Sequence, residues 1–403
     1  MLRKYFWGLL LLLYIPIGQI QAESLLSLID HNLNFAIKQD SLMAITMLNH
    51  PGRLPQTIDK QGNLVTCSPS WWVSGFFSGS LWYLYEYSKD NQLKSYAETF
   101  TQRVASQQYT TDTHDVGFII NCSFGNGYRI TGNSAYKKVL ENAAHSLSTR
   151  FNPVVGCIRS WNGTKWEYPV IIDNMMNLEL MFNATHLSGD KRYEQIAISH
   201  ANKTLENQFR PNGSCFHLVS YDTITGRAIA HKTVQGYSDS SSWARGQAWA
   251  LYAYTMCYRE TGNSKYLDQA EKVASFILNN PHLPKDKIPY WDFDDPAIPH
   301  TYRDASAGAV MCSAFIELSQ YVPKKASKEY LHVAAMQIRT LSSPVFRAQL
   351  GSNGDFILMH SVGSLPGHTE VDVPLSYADY YYIEALLRYR KLLLGEPLFP
   401  HKR

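Results

Sequence analysis

The chain has 403 residues, 45% of them hydrophobic and 18% charged, and a formal net charge of +3. That balance belongs to a globular chain with a large buried core and excludes a disordered one. A small net charge with no basic run argues against nucleic acid as a partner, while a mildly basic cleft for a small anionic substrate stays open. Aromatic residues reach 13%, with 9 Trp and 26 Tyr. A large core needs such side chains, and exposed rings also make platforms for sugars.

In chain order, the first element is MLRKYFWGLLLLLYIPIGQIQAES. Arg3 and Lys4 precede a short apolar run from Tyr5 to Ile17, and Ala22 offers a small residue for cleavage. This pattern predicts a signal peptide over residues 1–22 and an exported, periplasmic mature chain starting at Glu23. The apolar run is too short for a comfortable membrane span. Cys67, Cys122, Cys157, Cys215, Cys257 and Cys312 sit at wide, irregular intervals without a CxxC pair. They read as buried core thiols rather than a disulfide framework or a zinc site. There is no HExxH, phosphate loop or nucleophile elbow, so neither a metal nor an organic cofactor is expected.

No Pro- or Gly-rich linker divides the chain, and residues 23–403 read as one domain. A local pattern recurs at EYSKDNQLKSY (86–96), ITGNSAY (130–136), LSGDKRY (187–193), ETGNSKY (260–266) and PKKASKEY (323–330). Gly or Asn ends one helix, Asp or Ser caps the next, and the Tyr packs back. Repeated helical hairpins of uneven length predict an all-α closed toroid, an (α/α)6 barrel, rather than a strictly periodic solenoid. Strand signals are few, at 215–222 and 356–362.

Four stretches carry candidate chemistry. WWVSGFFSGSLWYLYEY (71–87) reads as core helix, with Trp72 free to line a cleft. THDVGF places His114 and Asp115 at a loop-to-helix entry, where Asp is commonly just an N-cap. VIIDNMMNLEL (170–180) puts Asp173 at the start of a helix running from Asn174 through Ala184. A cap accounts for the position but not for the apolar Val170, Ile171 and Ile172 before it. Poor solvation there would raise the carboxyl's pKa, as a general acid requires. In GYSDSSSWARGQAWALY, Arg245 and Trp249 lie one turn apart, flanked by Gln247 and Trp243. Arg245 suits a carboxylate, or else a buried ion pair, and Trp249 suits a sugar ring. Two carboxylates, aromatic rings and an arginine together sketch an enzyme acting on a uronic acid.

Taken with DASAGAV (304–310) and EVDVPLSYADYYYIEALLR (370–388), these motifs resemble, in order and over nearly the whole mature chain, the unsaturated glucuronyl hydrolases of glycoside hydrolase family 88. The resemblance implies an (α/α)6 barrel that removes an unsaturated uronic acid from the non-reducing end of lyase-generated oligosaccharides. It implies Asp173 as catalytic acid/base and Asp115 as the second essential carboxylate. It implies His114, His217, Gln235, Arg245, Trp249 and Trp72 as substrate contacts. It also implies a hydration mechanism: Asp173 protonates C4 of the C4=C5 enol ether, water adds at C5, and the hemiketal opens to release the sugar. Some relatives resemble Ser-x-x-Ser-x-Lys in a C-terminal loop that meets sulfate. Here Ser361 and Ser364 match and Pro366 stands where Lys would, so no lysine carries over. Rival readings are an unsaturated rhamnogalacturonyl hydrolase of the same fold and a non-catalytic exported glycan-binding protein.

Overall fold

The computed structural model describes residues 24–399. The signal peptide expected over 1–22 lies outside the described residues. Twelve α-helices alternate between an outer and an inner layer among the described residues. The outer ones are α1 (Leu25–Leu48), α3 (Asn91–Arg103), α5 (Ser134–Ser148), α7 (Lys191–Asn207), α9 (Ser264–Asn279) and α11 (Lys324–Leu341). The inner ones are α2 (Phe76–Ser88), α4 (Asn126–Thr131), α6 (Asn174–Ser188), α8 (Ala244–Thr261), α10 (Ala305–Leu318) and α12 (Ser376–Leu393). A π-helical segment, Gly117–Gly125, runs straight into α4. Packing runs from α2 to the π segment, then α6, α8, α10, α12 and back to α2, so the inner ring closes as an (α/α)6 barrel.

Sequence pattern decides which layer a helix joins. In α9 the buried residues are Tyr266, Gln269, Ala270, Val273, Ala274 and Ile277, one stripe at helical spacing. In α10 every residue is buried, and its Ala, Gly, Ser and Cys let neighbouring helices close in. A helix buried all round must sit inside.

The recurring turns join inner to outer helices. Lys89, Gly132, Gly189 and Gly262 are left-handed and end α2, α4, α6 and α8. Asp90, Asn133, Asp190 and Asn263 then cap α3, α5, α7 and α9 through their side chains. The fifth copy differs: Pro323 precedes α11 with no side-chain cap. These tight turns hold one end of the barrel. The long connections all lead into inner-helix N-termini at the other end.

Those connections carry nine short strands. The expected strand at 215–222 is β6 (Leu218–Tyr221), whereas of the region expected over 356–362 only Ser361 and Val362 enter a strand, β8 (Ser361–Ser364). β6 pairs with β5 (Pro169–Ile171) and β7 (Ala228–Lys232), and β8 pairs with β9 (Thr369–Val373). All six cysteines are free thiols and buried. No helix among the described residues is long and apolar enough to cross a membrane.

Candidate active site

The apolar approach to Asp173 is a strand. Val170 and Ile171 pair with Val219 and Leu218, and the Ile172 N–H donates to the His217 carbonyl at 2.9 Å. One antiparallel pairing therefore delivers Asp173 and His217 to the same place. Asp173 does stand at the N-cap of α6, but it adopts helical backbone angles and its side chain caps nothing. The expectation that the carboxyl serves as a cap is corrected here. Its Oδ2 is buried without a hydrogen-bond partner.

Burial raises the Asp173 carboxyl to about 7. Arg245 pulls the other way, Asp115 pushes further up, and the Trp249 indole lowers it slightly. His217 complements it. Its Nδ1 accepts from the Val234 N–H at 3.0 Å, so the ring proton belongs on Nε2, 3.7 Å from Asp173 Oδ2. Burial, then Arg245 and His114, hold His217 down at about 3, so it is a neutral donor facing that carboxyl.

Asp115 enters just before the π segment. It too caps nothing: Oδ2 accepts from the Thr113 hydroxyl at 2.7 Å, and Oδ1 lies 3.2 Å from His114 Nε2. His114 Nδ1 faces the Ser160 carbonyl at 2.9 Å and must donate there. The Nε2–Oδ1 contact is attractive only with a proton on one of those two atoms. Burial lowers the His114 pKa, and Asp115 opposes it.

Asn177 locks the two carboxylate-bearing elements together. Its Oδ1 accepts from the Phe118 N–H at 2.7 Å and its Nδ2 donates to the Asp173 carbonyl at 3.3 Å. The approach leaves no room for a side chain at Gly117, where a Cβ would stand 2.6 Å from Asn177. Asn174 accepts from the Ser160 hydroxyl at 2.7 Å and donates to the Ile158 carbonyl at 2.8 Å. It thereby ties the start of α6 to the strand that positions His114. Sequence reading passed over Asn177, Thr113 and Ser160. Two amides at the head of an otherwise apolar helix were the available signal.

Arg245 is almost wholly buried, under Trp243 at 4.4 Å. Nη1 donates to the Val362 carbonyl and lies 3.5 Å from Asp304, and Nη2 donates to the Gly363 carbonyl at 2.7 Å. Both Nη atoms are thus engaged by the β8–β9 hairpin and Asp304, and Nε has no partner. Gln235 Nε2 reaches the same Gly363 carbonyl at 3.1 Å. Asp304, expected only as part of a motif, caps α10 and receives Arg245.

The Trp249 ring, read from sequence as a sugar platform, is fully buried against Phe118 and Tyr381. What it offers the site is an unpartnered N–H near Asp173. Trp72 is half-buried and packs on Tyr377, 4.7 Å between centroids, at the cleft edge. Ser361 is buried with an unpartnered hydroxyl, and Ser364 accepts from the Gly367 N–H at 3.2 Å. No His, Cys, Asp and Glu grouping suited to a metal occurs among the described residues.

All these groups collect where the inner helices begin, so positive helix ends point into the cleft and favour an anion. Comparison with known proteins agrees with that geometry. The chain is 46% identical over 355 residues to an unsaturated glucuronyl hydrolase of Formosa agariphila, covering 86% of this chain and 88% of that one. It is 35% identical to an unsaturated chondroitin disaccharide hydrolase of Streptococcus agalactiae, covering 79% and 81%. A crystal structure of an unsaturated glucuronyl hydrolase specific for heparin superposes with a TM-score of 0.89 at 44% identity, covering 92% of this chain and 99% of that one. The model of Glycosyl Hydrolase Family 88 matches residues 54–386. The chain belongs to that family and is a glycoside hydrolase.

Proposed function

We propose that this enzyme removes a 4,5-unsaturated glucuronic acid from the non-reducing end of lyase-generated glycosaminoglycan oligosaccharides. The observation that carries the reading is Asp173: a buried carboxyl with a free Oδ2, held near pKa 7 and faced by a neutral histidine N–H. Such a group still holds its proton near neutral pH, as protonating an enol ether at C4 demands. Transfer of that proton leaves positive charge at the ring oxygen and C5. Water adds at C5 and gives a proton back to Asp173. The product is a hemiketal, which opens and releases the neighbouring sugar, so no nucleophile at the anomeric carbon is needed. Asp115 raises the Asp173 pKa and so helps it stay protonated. His114, His217, Gln235 and Arg245 surround the unsaturated ring in this reading, with Trp72 at its edge.

The test uses unsaturated disaccharides from heparin, chondroitin, hyaluronan and ulvan. Loss of the ultraviolet absorbance of the double bond is expected with at least one, and its absence with all four overturns the assignment. Because the acid form reacts, kcat is expected to fall as pH rises through about 7. We further infer export with cleavage after Ala22. Amino-terminal sequencing of the exported protein should then begin at Glu23.

A further inference from the structure

The segment between Arg159 and Tyr168 forms a rim beside Asp115 that the hydration chemistry does not use. Trp161 bridges Thr113, two residues before Asp115, and the His114 N–H also donates to the Ser160 carbonyl at 2.9 Å. From that anchor the rim runs outward. The Trp166 ring meets Trp161 edge-on, 6.0 Å between centroids, and the Lys165 ammonium sits 4.5 Å over Trp166. Lys165 is exposed.

The rim is braced from below, unlike an ordinary exposed loop. Arg159 Nη2 donates to the Gly163 and Glu167 carbonyls at 3.2 and 3.1 Å. Arg150 reaches Asn162 at 3.3 Å, and Glu167 accepts twice from Thr223. The loop that follows Gln235 leaves Tyr237 half exposed. Asp239 on that loop is held below its ordinary pKa first by its bond to Lys232, and Lys165 adds to the effect. A chain leaving the site past Asp115 on this side would meet an indole with a cation above it.

We propose that Trp166 and Lys165 form an outer subsite for the second sugar of the leaving chain, with Lys165 taking an anionic group on that sugar. Where uronate alternates with another sugar, this second unit carries a carboxylate, and sulfate offers the same chemistry. The subsite rests on the function proposed above and extends it from disaccharides to longer products of a lyase.

The test compares kcat/KM for an unsaturated tetrasaccharide and the matching disaccharide, each in sulfated and desulfated form. The intact enzyme should favour the tetrasaccharide. Lys165→Gln and Trp166→Ala should each lower the tetrasaccharide-to-disaccharide ratio about fivefold. Added salt should erode the ratio in the intact enzyme and not in Lys165→Gln. A preference kept on desulfated tetrasaccharide assigns the carboxylate, and one seen only on the sulfated form assigns sulfate. A ratio unmoved by both substitutions overturns the subsite. A drop in Trp166→Ala alone overturns the anionic part. If neither length is turned over, the hydrolase reading itself fails, which is a separate result.

Discussion

The two ends of the barrel solve opposite problems with the same residue types. Toward the tight-turn end, Arg259 meets Glu179, Glu260 at 2.9 Å and Glu317 at 2.8 Å. Arg388 meets Glu317 at 3.0 Å and Glu384 at 2.5 Å, and His186 joins Glu260 at 2.8 Å. Phe399 lies under both guanidinium groups, at 4.4 and 5.5 Å. Burial alone would raise the Glu260 carboxyl, but Arg259 and His186 bring it below its ordinary value. At the cleft end, Asp173 Oδ2, His217 Nε2, Trp249 Nε1 and Arg245 Nε all lack partners. Glu384 Oε2 also lacks a hydrogen bond, but its carboxylate is ion-paired with Arg388, and paired charges of this kind fix a structure and do no chemistry. Unsatisfied ones cost stability and stay available to a substrate.

The sharpest way to break this contrast is Asp173→Asn. The amide keeps the shape and loses the acid, so kcat should fall by about 10³-fold or more with the fold intact by circular dichroism. The same change should stabilise the protein at pH 8. A carboxyl raised to about 7 adds nothing unfavourable below its unfolded pKa near 4. Stability is then lost as pH rises from there through about 7, because the unfolded chain ionises first. Removing the group at pH 8 should return up to about 4 kcal/mol. Thermal melts that favour the parent at pH 8 would show that this end carries no such cost. The mirror experiment is Arg259→Met at the other end. It leaves Glu179 without its cation, and Glu260 and Glu317 with only His186 and Arg388, so a loss of about 3–5 kcal/mol in urea unfolding is expected, with kcat per folded molecule unchanged.

The two ends also differ in how far the sequence disclosed them. The tight-turn end was legible, because capping acts within a few residues: Gly189 followed by Asp190 writes its own geometry. The toroid follows from repeating that device. At the cleft end the sequence marked Asp173 as a cap position, and it stands there, but the side chain ignores the helix N–H groups. Its neighbours His217 and Asp115 come from two other connections and Trp249 from α8, and no local pattern encodes that meeting. The fate of Arg245 was hidden likewise. Its partners, the Val362 and Gly363 carbonyls, lie more than a hundred residues downstream. The enclosure of the Trp249 ring depends on Tyr381 from the last helix.

Asp115→Asn tests whether the cleft works as a coupled pair. Loss of its charge should lower kcat by about 10²-fold. It should also move the alkaline limb of the pH profile to lower pH, since Asp115 helps raise the Asp173 pKa. A limb that stays in place would mean that burial alone sets the acid, and Asp115 acts only on the substrate.

The finest distinction concerns Trp249. Phenylalanine at this position keeps an aromatic ring toward Phe118 and Tyr381, and removes the N–H together with part of the indole, at some cost in packing. If the indole does no more than fill the core, Trp249→Phe leaves the pH profile where it was. If its N–H steadies the ionised form of Asp173, as the lowering effect on that carboxyl indicates, the alkaline limb moves up, by less than about one pH unit. The acid would then be protonated over a wider range, while the water-activating carboxylate would lose a donor. A modest fall in kcat below the limb, together with the upward shift, separates a hydrogen bond to the reacting group from simple packing. A lost ring contact would lower stability instead and leave the limb in place.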